Sequence, residues 1–363
     1  MRFDVYKIIY SYLFICMAII IYNIAYIFYS NIQKNKYEKM TIKWKKEINK
    51  QIELLSKNMS IEESHKTFIK KKLKNINELI CYVRGLDILK EQDKDIEKYL
   101  RENYILIQAL AHNYSKKENM EKAFFAFFIS KYPPINGKEY NPLMEILISY
   151  LDNSTIYCRE NVLKALYSLG NIQAIENAWQ IINDRQWFHH KKLLSDGLIT
   201  FNGDKEELAA RLWSHRSEWD DNIMSSVVQF ITLVSDEFKK TFFEVLQSEN
   251  LSLEVKLSIL RYYRHHIYEP VLPLLLSYLK EENDINENIK IVTASVIEVY
   301  PSEETIEALK VTIHHSNWYL RYNSAVSLVN LNMDIIKVQD ILQGKDVYAK
   351  KIFRYMIEQR KAG

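Results

Sequence analysis

One helical hairpin, residues 141–184, recurs through the second half of the chain and limits the folds that the sequence can adopt. Asn141 and Pro142 start its first helix, because an asparagine side chain caps free amide groups and a proline at the first helical position loses no useful donor. A polar turn at 152–155 leads to a second helix that ends at Gly170. Each helix has an apolar stripe that it cannot bury alone, so we expect such hairpins to stack.

Glycine and proline are scarce, with 7 Gly and 6 Pro in 363 residues, or about 4% where roughly 12% is usual. So few turn-forming residues predict an all-α protein with short connections. The length allows either two ordinary domains or one elongated repeat domain whose core grows by addition. Cys16, Cys81 and Cys158 are too scattered for a disulfide framework, and they predict buried thiols in a reducing compartment.

The recurrence is visible as an acidic or polar turn residue that precedes a basic residue, in most cases by seven positions. The basic positions lie 29 to 34 residues apart, except for one interval of 65 that spans a unit without the basic residue, near 220–224. About seven two-helix units with a period near 32 are typical of an α-solenoid. The pairs are Asp152 and Arg159, Asp184 and Lys191, Glu249 and Lys256, Asn283 and Lys290, His314 and Arg321, and a shortened pair of Asp346 and Lys350.

The segment 152–170, DNSTIYCRENVLKALYSLG, resembles the turn and inner helix of the HEAT-repeat family, especially its short bacterial form, and 315–328 is a second good copy. The resemblance covers residues 142 to about 358, with 61–132 as degenerate leading units. It implies a right-handed solenoid whose inner helices line a concave face; other helical repeats are the alternative. It also implies a structural ladder of charged residues between units, formed by Asp152, Arg159, Asp184, Lys191, Lys256, Lys290 and Arg321.

Residues 8–29 form a run of 22 residues without a charge. A helix of that length measures about 33 Å, enough to cross a hydrocarbon core of roughly 30 Å, and tyrosines near both ends suit the two interfaces. A signal peptide is disfavoured because its apolar part is shorter, roughly 7 to 15 residues. A buried core helix is the other alternative. We therefore expect a transmembrane anchor within residues 1–30.

Positive charge is concentrated next to this span. Residues 1–50 carry a net charge of +6 in a chain whose total is +3, so the rest of the chain is net acidic, which disfavours a nucleic-acid-binding body. The positive-inside rule predicts a single-pass inner-membrane protein with its N-terminus outside and its C-terminal solenoid in the cytoplasm. The membrane-proximal lysines are Lys34, Lys36, Lys39, Lys43, Lys45, Lys46 and Lys50.

Residues 31–60 are expected to form a basic juxtamembrane helix, followed by a leading helical region at 61–135 and the repeat solenoid at 141–363. The juxtamembrane helix is a stalk, an interfacial helix on anionic headgroups or a self-pairing coil. One side of it carries Trp44, Ile48, Ile52, Leu55 and Met59.

Three helix starts are predicted in the leading region. Ser60 and Glu63 have the spacing of a capping box, and Asp93 and Asn119 are each expected to cap a later helix. Between these positions, the run Lys70–Lys72 is either a solvated face or a membrane contact.

The sequence offers no recognisable catalytic, cofactor or metal constellation. Adjacent helical side chains point about 100° apart, so the three His-His pairs do not form metal sites by themselves. The carboxylate pairs fall at expected helix starts, where the helix dipole accounts for them. The histidine pairs are His189 and His190, His265 and His266, and His314 and His315; the carboxylate pairs are Glu206 and Glu207, Asp220 and Asp221, and Glu303 and Glu304.

These features predict a non-catalytic membrane-tethered scaffold or regulatory adaptor, without cofactor or metal, that binds a protein partner such as a membrane glycosyltransferase. One alternative is a HEAT-like enzyme acting on nucleic acid, of the alkylpurine DNA glycosylase type, with Trp187, Trp213, Trp219 and Trp318 as its aromatic residues. A bilin-lyase-like enzyme and a membrane-surface sensor are further alternatives. Candidate partner-binding residues are polar or aromatic positions on inner helices: His189, Lys192, Arg261, Arg264, His265, Trp318, Tyr319, Tyr322 and Arg354.

Overall fold

The computed structural model describes residues 2–92, 94–135, 137, 139–248, 251–280, 285–331 and 338–362. These residues form twenty α-helices and two short 3-10 turns and contain no strand, which confirms the predicted all-α class. The chain divides into two compact units, Met1–Ala174 and Ile175–Gly363. The division falls inside the segment that the sequence predicts as one repeat array.

The first unit is built from eight helices and the start of a ninth. One of them, α1, is 55 residues long and includes the whole uncharged run. The bounds are α1 Arg2–Ser56, α2 Glu63–Lys72, α3 Ile76–Lys90, α4 Ile96–Glu102, α5 Tyr104–Tyr114, α6 Asn119–Lys131, α7 Pro142–Ser149, α8 Ile156–Leu169 and α9 Ile172–Asp184.

The remaining helices belong to the second unit, where the described residues alternate between helices and short turns. The bounds are α10 Lys191–Ile199, α11 Lys205–Ser214, α12 Asp221–Val234, α13 Lys239–Ser248, α14 Leu253–His265, α15 Leu272–Leu279, α16 Glu287–Val296, α17 Glu303–Thr312, α18 Trp318–Asn330, α19 Gln339–Gln343 and α20 Val347–Ala362, with 3-10 turns at Glu269–Val271 and Ile297–Val299.

The second half of α1 is part of the core of the first unit. Trp44, Ile48, Ile52 and Leu55 are buried, and α1 packs mainly against α3. The sequence predicted that this apolar side would face solvent, a membrane surface or a second copy of the helix. All three alternatives are wrong on that point, because the side packs within its own chain. Met59, which was assigned to the same side, lies beyond the end of α1 and is exposed.

Gly85 allows α3 to lie close to α1. A Cβ atom at this position would lie 3.2 Å from the Lys45 backbone nitrogen and 3.4 Å from the Trp44 Cβ. The contact with the Lys45 nitrogen would be tighter than ordinary van der Waals packing, so a side chain here would require the α1 backbone to shift by a few tenths of an ångström.

Alternate helices of the second unit pack on one another in chain order. Contacts join α10 to α12, α12 to α14, α14 to α16, α16 to α18 and α18 to α20, and each of the last five also contacts the helix just before it. These six helices begin at residues 191, 221, 253, 287, 318 and 347, which are 29 to 34 residues apart. The unit predicted near residues 220–224 is therefore present, and its second helix is α12.

Several predicted helix starts and ends can be compared directly with the structure. The Asn141 side chain accepts hydrogen bonds from the amides of residues 143 and 144, and Gly170 ends α8 with a left-handed φ of 74°, so both predictions are confirmed. The predicted capping box at Ser60 is wrong. Glu62 is the N-cap of α2, and its carboxylate binds Lys50 and Gln51 of α1 instead of capping amides. The predicted cap at Asn119 is wrong as well, because Asn119 is the first residue of α6 and Glu118 is its N-cap. Asp93 lies outside the described residues.

The predicted carboxylate pairs do lie at helix starts. Glu206 and Glu207 lie in the first turn of α11, and Asp220 is the N-cap of α12, where its carboxylate accepts from the Ile223 amide. Glu303 is the first residue of α17. The acidic side chains oppose the positive end of the helix dipole, which is a structural role.

Candidate partner-binding surface

The structure brings exposed aromatic and basic side chains together in a cleft between α18 and α20, which we call the aromatic cleft. Its volume is about 280 Å³. Trp318 is 53% exposed and Tyr348 is 68% exposed, although large aromatic side chains are on average more buried than this. The lining residues are Trp318, Arg321, Tyr322, Tyr348, Lys351, Ile352, Tyr355 and Met356.

Helix periodicity explains why these side chains share a surface. Trp318, Arg321 and Tyr322 are three and four residues apart, so they occupy one face of α18. Tyr348 and Tyr355 are seven residues apart on α20, again one face. Five other residues of α18 are buried and fix the helix against its neighbours: Leu320, Ser324, Ala325, Ser327 and Leu328. The aromatic face is therefore held in place from behind.

The rings of the aromatic cleft are already arranged against one another. The planes of Trp318 and Tyr322 lie 23° apart with ring centroids separated by 5.2 Å, and Trp318 meets Tyr319 edge to face at the same separation. The Arg321 guanidinium lies 5.3 Å from the centroid of the Tyr348 ring, at cation–π distance. These contacts restrict the side chains before any ligand arrives, which lowers the entropy cost of binding.

The aromatic cleft is positively charged. Among the described residues that line it, Arg321 and Lys351 are cations and no residue is a carboxylate. Arg354 is exposed on the same helix, α20. A surface that combines stacked rings with arginine and lysine suits a ligand that carries both apolar groups and negative charge.

Two of the nine predicted partner-binding residues, Trp318 and Tyr322, line the aromatic cleft. Tyr319 contacts the Trp318 ring, and Arg354 is exposed on α20. Sequence reasoning assigned Arg321 to the structural ladder and missed Tyr348, Lys351 and Tyr355. The exposed aromatic positions 348 and 355, seven residues apart in the last helix, were the available signal.

The other five predicted residues lie elsewhere in the second unit. Lys192 is exposed on α10, and Arg261 and His265 are exposed on α14. Arg264 of α14 is engaged by Glu298, to which its guanidinium donates a hydrogen bond. His189 is buried, so its side chain is not on a surface that a partner reaches.

The predicted ladder residues have varied surroundings. The Arg159 guanidinium donates to the Ser154 carbonyl at 2.7 Å, and Lys191 pairs with Glu254 at 2.8 Å. Lys290 is buried, Lys256 is half-buried, and Asp184 accepts a hydrogen bond from Gln180. Asp152 lies exposed in the turn before α8. The partner residues Glu249 and Asn283 lie outside the described residues.

A different set of polar contacts joins successive hairpins of the second unit. Glu176 binds Arg211 through two hydrogen bonds of 3.0 Å, and His314 contacts Asp346 at 2.9 Å. The hydrogen bond from the His314 imidazole holds the pKa of Asp346 below its usual range. With Arg264 and Glu298, these pairs lie 32 to 35 residues apart in sequence. Each pair is partly exposed to water, so we expect these contacts to fix the register of the hairpins more than to stabilise the fold.

The predicted histidine pairs serve local structure. His190 caps α10 by accepting from the Lys192 amide, His266 contacts the Thr232 carbonyl at 2.8 Å, and His315 accepts from the Asn317 amide. Within the described parts of the chain, no group of three or more His, Cys, Asp or Glu side chains is placed to hold a metal ion.

The four tryptophans considered for a nucleic-acid groove do not form one exposed set. Trp213 and Trp219 are buried, with Trp219 donating to the Leu212 carbonyl at 2.8 Å, and Trp187 is half-buried. Trp318 alone among these four is exposed, in the aromatic cleft.

The membrane-proximal lysines line successive turns of α1. Lys34, Lys36, Lys39, Lys43, Lys46 and Lys50 are exposed and Lys45 is half-buried. Lys43 lies 5.3 Å from the Phe68 ring centroid, and Lys50 pairs with Glu62 at 2.8 Å. These two lysines therefore contact α2 and the turn before it.

In comparisons with known proteins, no family model, no curated protein and no solved structure matches this chain. The resemblance to HEAT repeats stays a prediction that depends on the residues quoted for it.

Proposed function

We propose that this chain is a single-pass membrane protein whose body is a HEAT-like α-solenoid and serves as a non-catalytic scaffold or adaptor for a protein partner. The observation that carries the proposal is the aromatic cleft, a preassembled and positively charged surface on stacked hairpins. Exposed patches of this composition are typical of protein interaction sites.

The membrane part of the proposal depends on α1. This helix is long and apolar enough to cross a bilayer, and none of its apolar stretch is buried by the rest of the chain. Lysines follow the stretch within about 20 residues, which by the positive-inside rule favours a cytoplasmic location for the body.

The solenoid part is supported by the packing within the second unit. Five helical hairpins follow one another with a nearly constant period, and their second helices contact one another in chain order. In repeat proteins of this kind each unit contacts its neighbours, and the row of inner helices forms the binding surface. The aromatic cleft belongs to this row, because α18 and α20 are two of its members.

The partner we infer is a protein segment in which carboxylates lie next to apolar side chains. The aromatic rings would contact the apolar groups, and Arg321 and Lys351 would pair with the carboxylates. Truncation of a buried aromatic anchor commonly costs 2 kcal/mol or more of binding free energy, so we expect Trp318→Ala to weaken binding by about 30-fold.

A photo-crosslinking experiment in native membranes tests the proposed surface. A benzophenone amino acid replaces Tyr348 in the full-length protein, and the matched control carries it at Phe188, which is 70% exposed on the same unit. We expect a crosslinked protein at position 348, lost with Trp318→Ala and absent from position 188. Equal capture at both positions, or capture that survives Trp318→Ala, would overturn the assignment of the cleft.

The topology is tested separately by thiol labelling of intact cells that express the protein. Cys81 and Cys158 are buried, so a reporter cysteine is placed at exposed Lys116. We expect an impermeant reagent to label this cysteine only after the cells are opened. Labelling in intact cells would refute the cytoplasmic location of the body.

A further inference from the structure

A second cleft lies in the first unit, where α1 leaves its apolar stretch, and we call it the basic cleft. Its volume is about 380 Å³. One wall comes from α1 and the other from the turn that joins α2 to α3, so two separate lysine-rich segments of the sequence meet here. The lining residues are Gln33, Lys36, Tyr37, Met40, Lys71, Lys72, Asn75, Asn77 and Glu78.

Helix directions place this turn at the end of the first unit nearest the apolar stretch. Glu62, just before α2, binds Lys50 of α1, whereas Lys72 at the end of α2 shares the basic cleft with Lys36. The chain thus runs back along α1 through α2. The helix α3 then runs forward again, since Asn77 contacts Tyr37 and the later Gly85 packs against Trp44.

The end of the basic cleft nearest the apolar stretch, at Gln33, lies at the level expected for lipid headgroups. Gln33 to Met40 follow Tyr29 by 4 to 11 residues, which is about 6 to 16 Å along a helix. Headgroups occupy roughly 5 to 8 Å beyond each edge of the hydrocarbon core. Helical side chains tilt toward the N-terminus of their helix. This tilt brings the Lys36 amine toward the apolar stretch, whereas Lys71, on the antiparallel α2, gains no such displacement.

The electrostatics of the basic cleft favour an anion. Three lysines and one carboxylate line it, and Lys72 is paired with Glu78 at 3.3 Å. Lys36 and Lys71 have no carboxylate partner among the described residues, which leaves two ammonium groups available. The Tyr37 hydroxyl donates to the Asn77 side-chain oxygen at 2.6 Å, a contact that ties the two walls together.

We propose that the basic cleft binds the phosphate of an anionic phospholipid headgroup, with Lys36 and Lys71 as the cations. This inference rests on the proposed function, because it requires α1 to cross the bilayer. For the run Lys70–Lys72 the sequence left a solvated face and a membrane contact open. In this proposal Lys71 binds the lipid phosphate and Lys72, paired with Glu78, lines the same cleft. A lysine near an anionic surface contributes about fivefold to binding, so the two contribute about 30-fold.

The test uses full-length protein in nanodiscs of phosphatidylcholine with a minor fraction of phosphatidylglycerol, and native mass spectrometry counts the anionic lipids that stay bound. We expect Lys36→Gln/Lys71→Gln to weaken retention about 30-fold. The matched control is Lys70→Gln/Lys74→Gln, which removes the same amount of charge from two lysines near Lys71 that do not line the cleft. We expect it to retain phosphatidylglycerol nearly as well as the native protein. Equal losses in both variants, or no loss in either, would overturn the proposal.

A second arm separates the lipid from free phosphate. Millimolar inorganic phosphate is added to the nanodiscs, and we expect it to leave phosphatidylglycerol bound. Displacement by inorganic phosphate would show a site for a soluble anion and overturn the lipid assignment. Alkaline carbonate extraction distinguishes the two proposals, because release of the protein would refute the span itself. If the protein stays in the membrane but Lys36→Gln/Lys71→Gln binds phosphatidylglycerol as well as the native protein does, only the proposal for the basic cleft is refuted.

Discussion

The two halves of α1 differ in what surrounds their apolar side chains, although they form one uninterrupted helix. From Ile9 to Ile32 the large apolar side chains are 48 to 71% exposed. From Trp44 to Leu55 the apolar stripe is buried, and Trp44 is 1% exposed. The first half is apolar on all sides, whereas the second half is apolar on one side and carries lysines on the other.

The two halves of α1 therefore suit different surroundings. A helix that is apolar on all sides suits an apolar surrounding at every angle, such as the bilayer of the proposed span. A helix with one apolar stripe needs a single protein partner, and α3 supplies it. Mutations in the two halves should therefore have different consequences.

The largest effect is expected from Trp44→Ala. Trp44 packs against Phe68 and Tyr82 with ring centroids 4.9 and 5.3 Å away, and its indole donates to Glu78 at 2.9 Å. Removal of a buried tryptophan leaves a cavity and costs about 3 to 5 kcal/mol. Denaturant unfolding of the full-length protein in detergent, followed by circular dichroism, measures the loss.

The matched control for this substitution is Tyr26→Ala in the first half of α1, where the side chain is 59% exposed. We expect the free energy of unfolding of the body to stay within about 0.5 kcal/mol of the native value. Similar losses in both variants would contradict the division of α1 into two halves.

Ile20→Arg tests whether the first half of α1 crosses the membrane, and it should affect insertion but not the stability of the body. Ile20 lies near the middle of the uncharged run, where an arginine costs about 2.5 to 3.5 kcal/mol of insertion free energy. We expect the fraction of protein that resists alkaline carbonate extraction to fall, while unfolding of the body is unchanged. Ile20→Leu is the control and should insert normally. An unfolding loss like that of Trp44→Ala would mean that the first half also packs on the body.

The sequence alone predicted much of α1, but not that its second half packs against α3 of the same chain. The length and composition of residues 8–29 predicted a possible transmembrane helix. The helical spacing of four apolar residues predicted which side of the second half is buried: Trp44, Ile48, Ile52 and Leu55. The partner of that side was missed because packing against α3 depends on contacts between segments about 40 residues apart. The close approach at Gly85 is visible only in three dimensions, since a glycine within a helix has no local signature of its packing.

The aromatic cleft and the basic cleft also differ in how far the sequence alone predicts them. Trp318, Tyr319 and Tyr322 were predictable because they form a local cluster on one helix. Lys36 and Lys71 belong to different helices, and their proximity follows from the path of α2 along α1. Local patterns therefore predicted helices and their faces, while the tertiary pairing that makes each cleft could not be read from one sequence.

The pH response of the first unit should be dominated by His65, which is 3% exposed and contacts the Tyr99 hydroxyl at 2.9 Å. Burial lowers the pKa of this imidazole from 6.5 to about 4. Between these values the unfolded chain binds a proton that the folded chain does not, so acid favours unfolding. From pH 7 to pH 5 we expect the free energy of unfolding to fall by about 2 kcal/mol.

The measurement for His65 is denaturant unfolding at pH 7 and pH 5, with His65→Gln as the test variant. This variant should lose the pH dependence, and substitution of exposed His112 by Gln should retain it. Membrane insertion through the first half of α1 should be the same at both pH values. An undiminished pH dependence in His65→Gln would show that another group is responsible.

The smallest effect is expected from Tyr37→Phe, which tests where the two halves of α1 meet. Ile32 is 65% exposed, and Tyr37 is joined to Asn77 of α3 by the 2.6 Å hydrogen bond from its hydroxyl. This bond is exposed to water, so its loss should cost about 0.5 to 1 kcal/mol of unfolding free energy. The ring keeps its place over Arg84, 5.9 Å away, in the phenylalanine variant.

Tyr26→Phe is the control for Tyr37→Phe, because the same hydroxyl is removed from the first half. If Tyr37→Phe destabilises the body and Tyr26→Phe does not, α1 joins the fold between residues 32 and 37, within about 8 Å of helix. If neither does, the helix joins the fold nearer to Trp44. The wall of the basic cleft formed by α1 would then be loosely held, and Lys36 would no longer have a fixed position opposite Lys71.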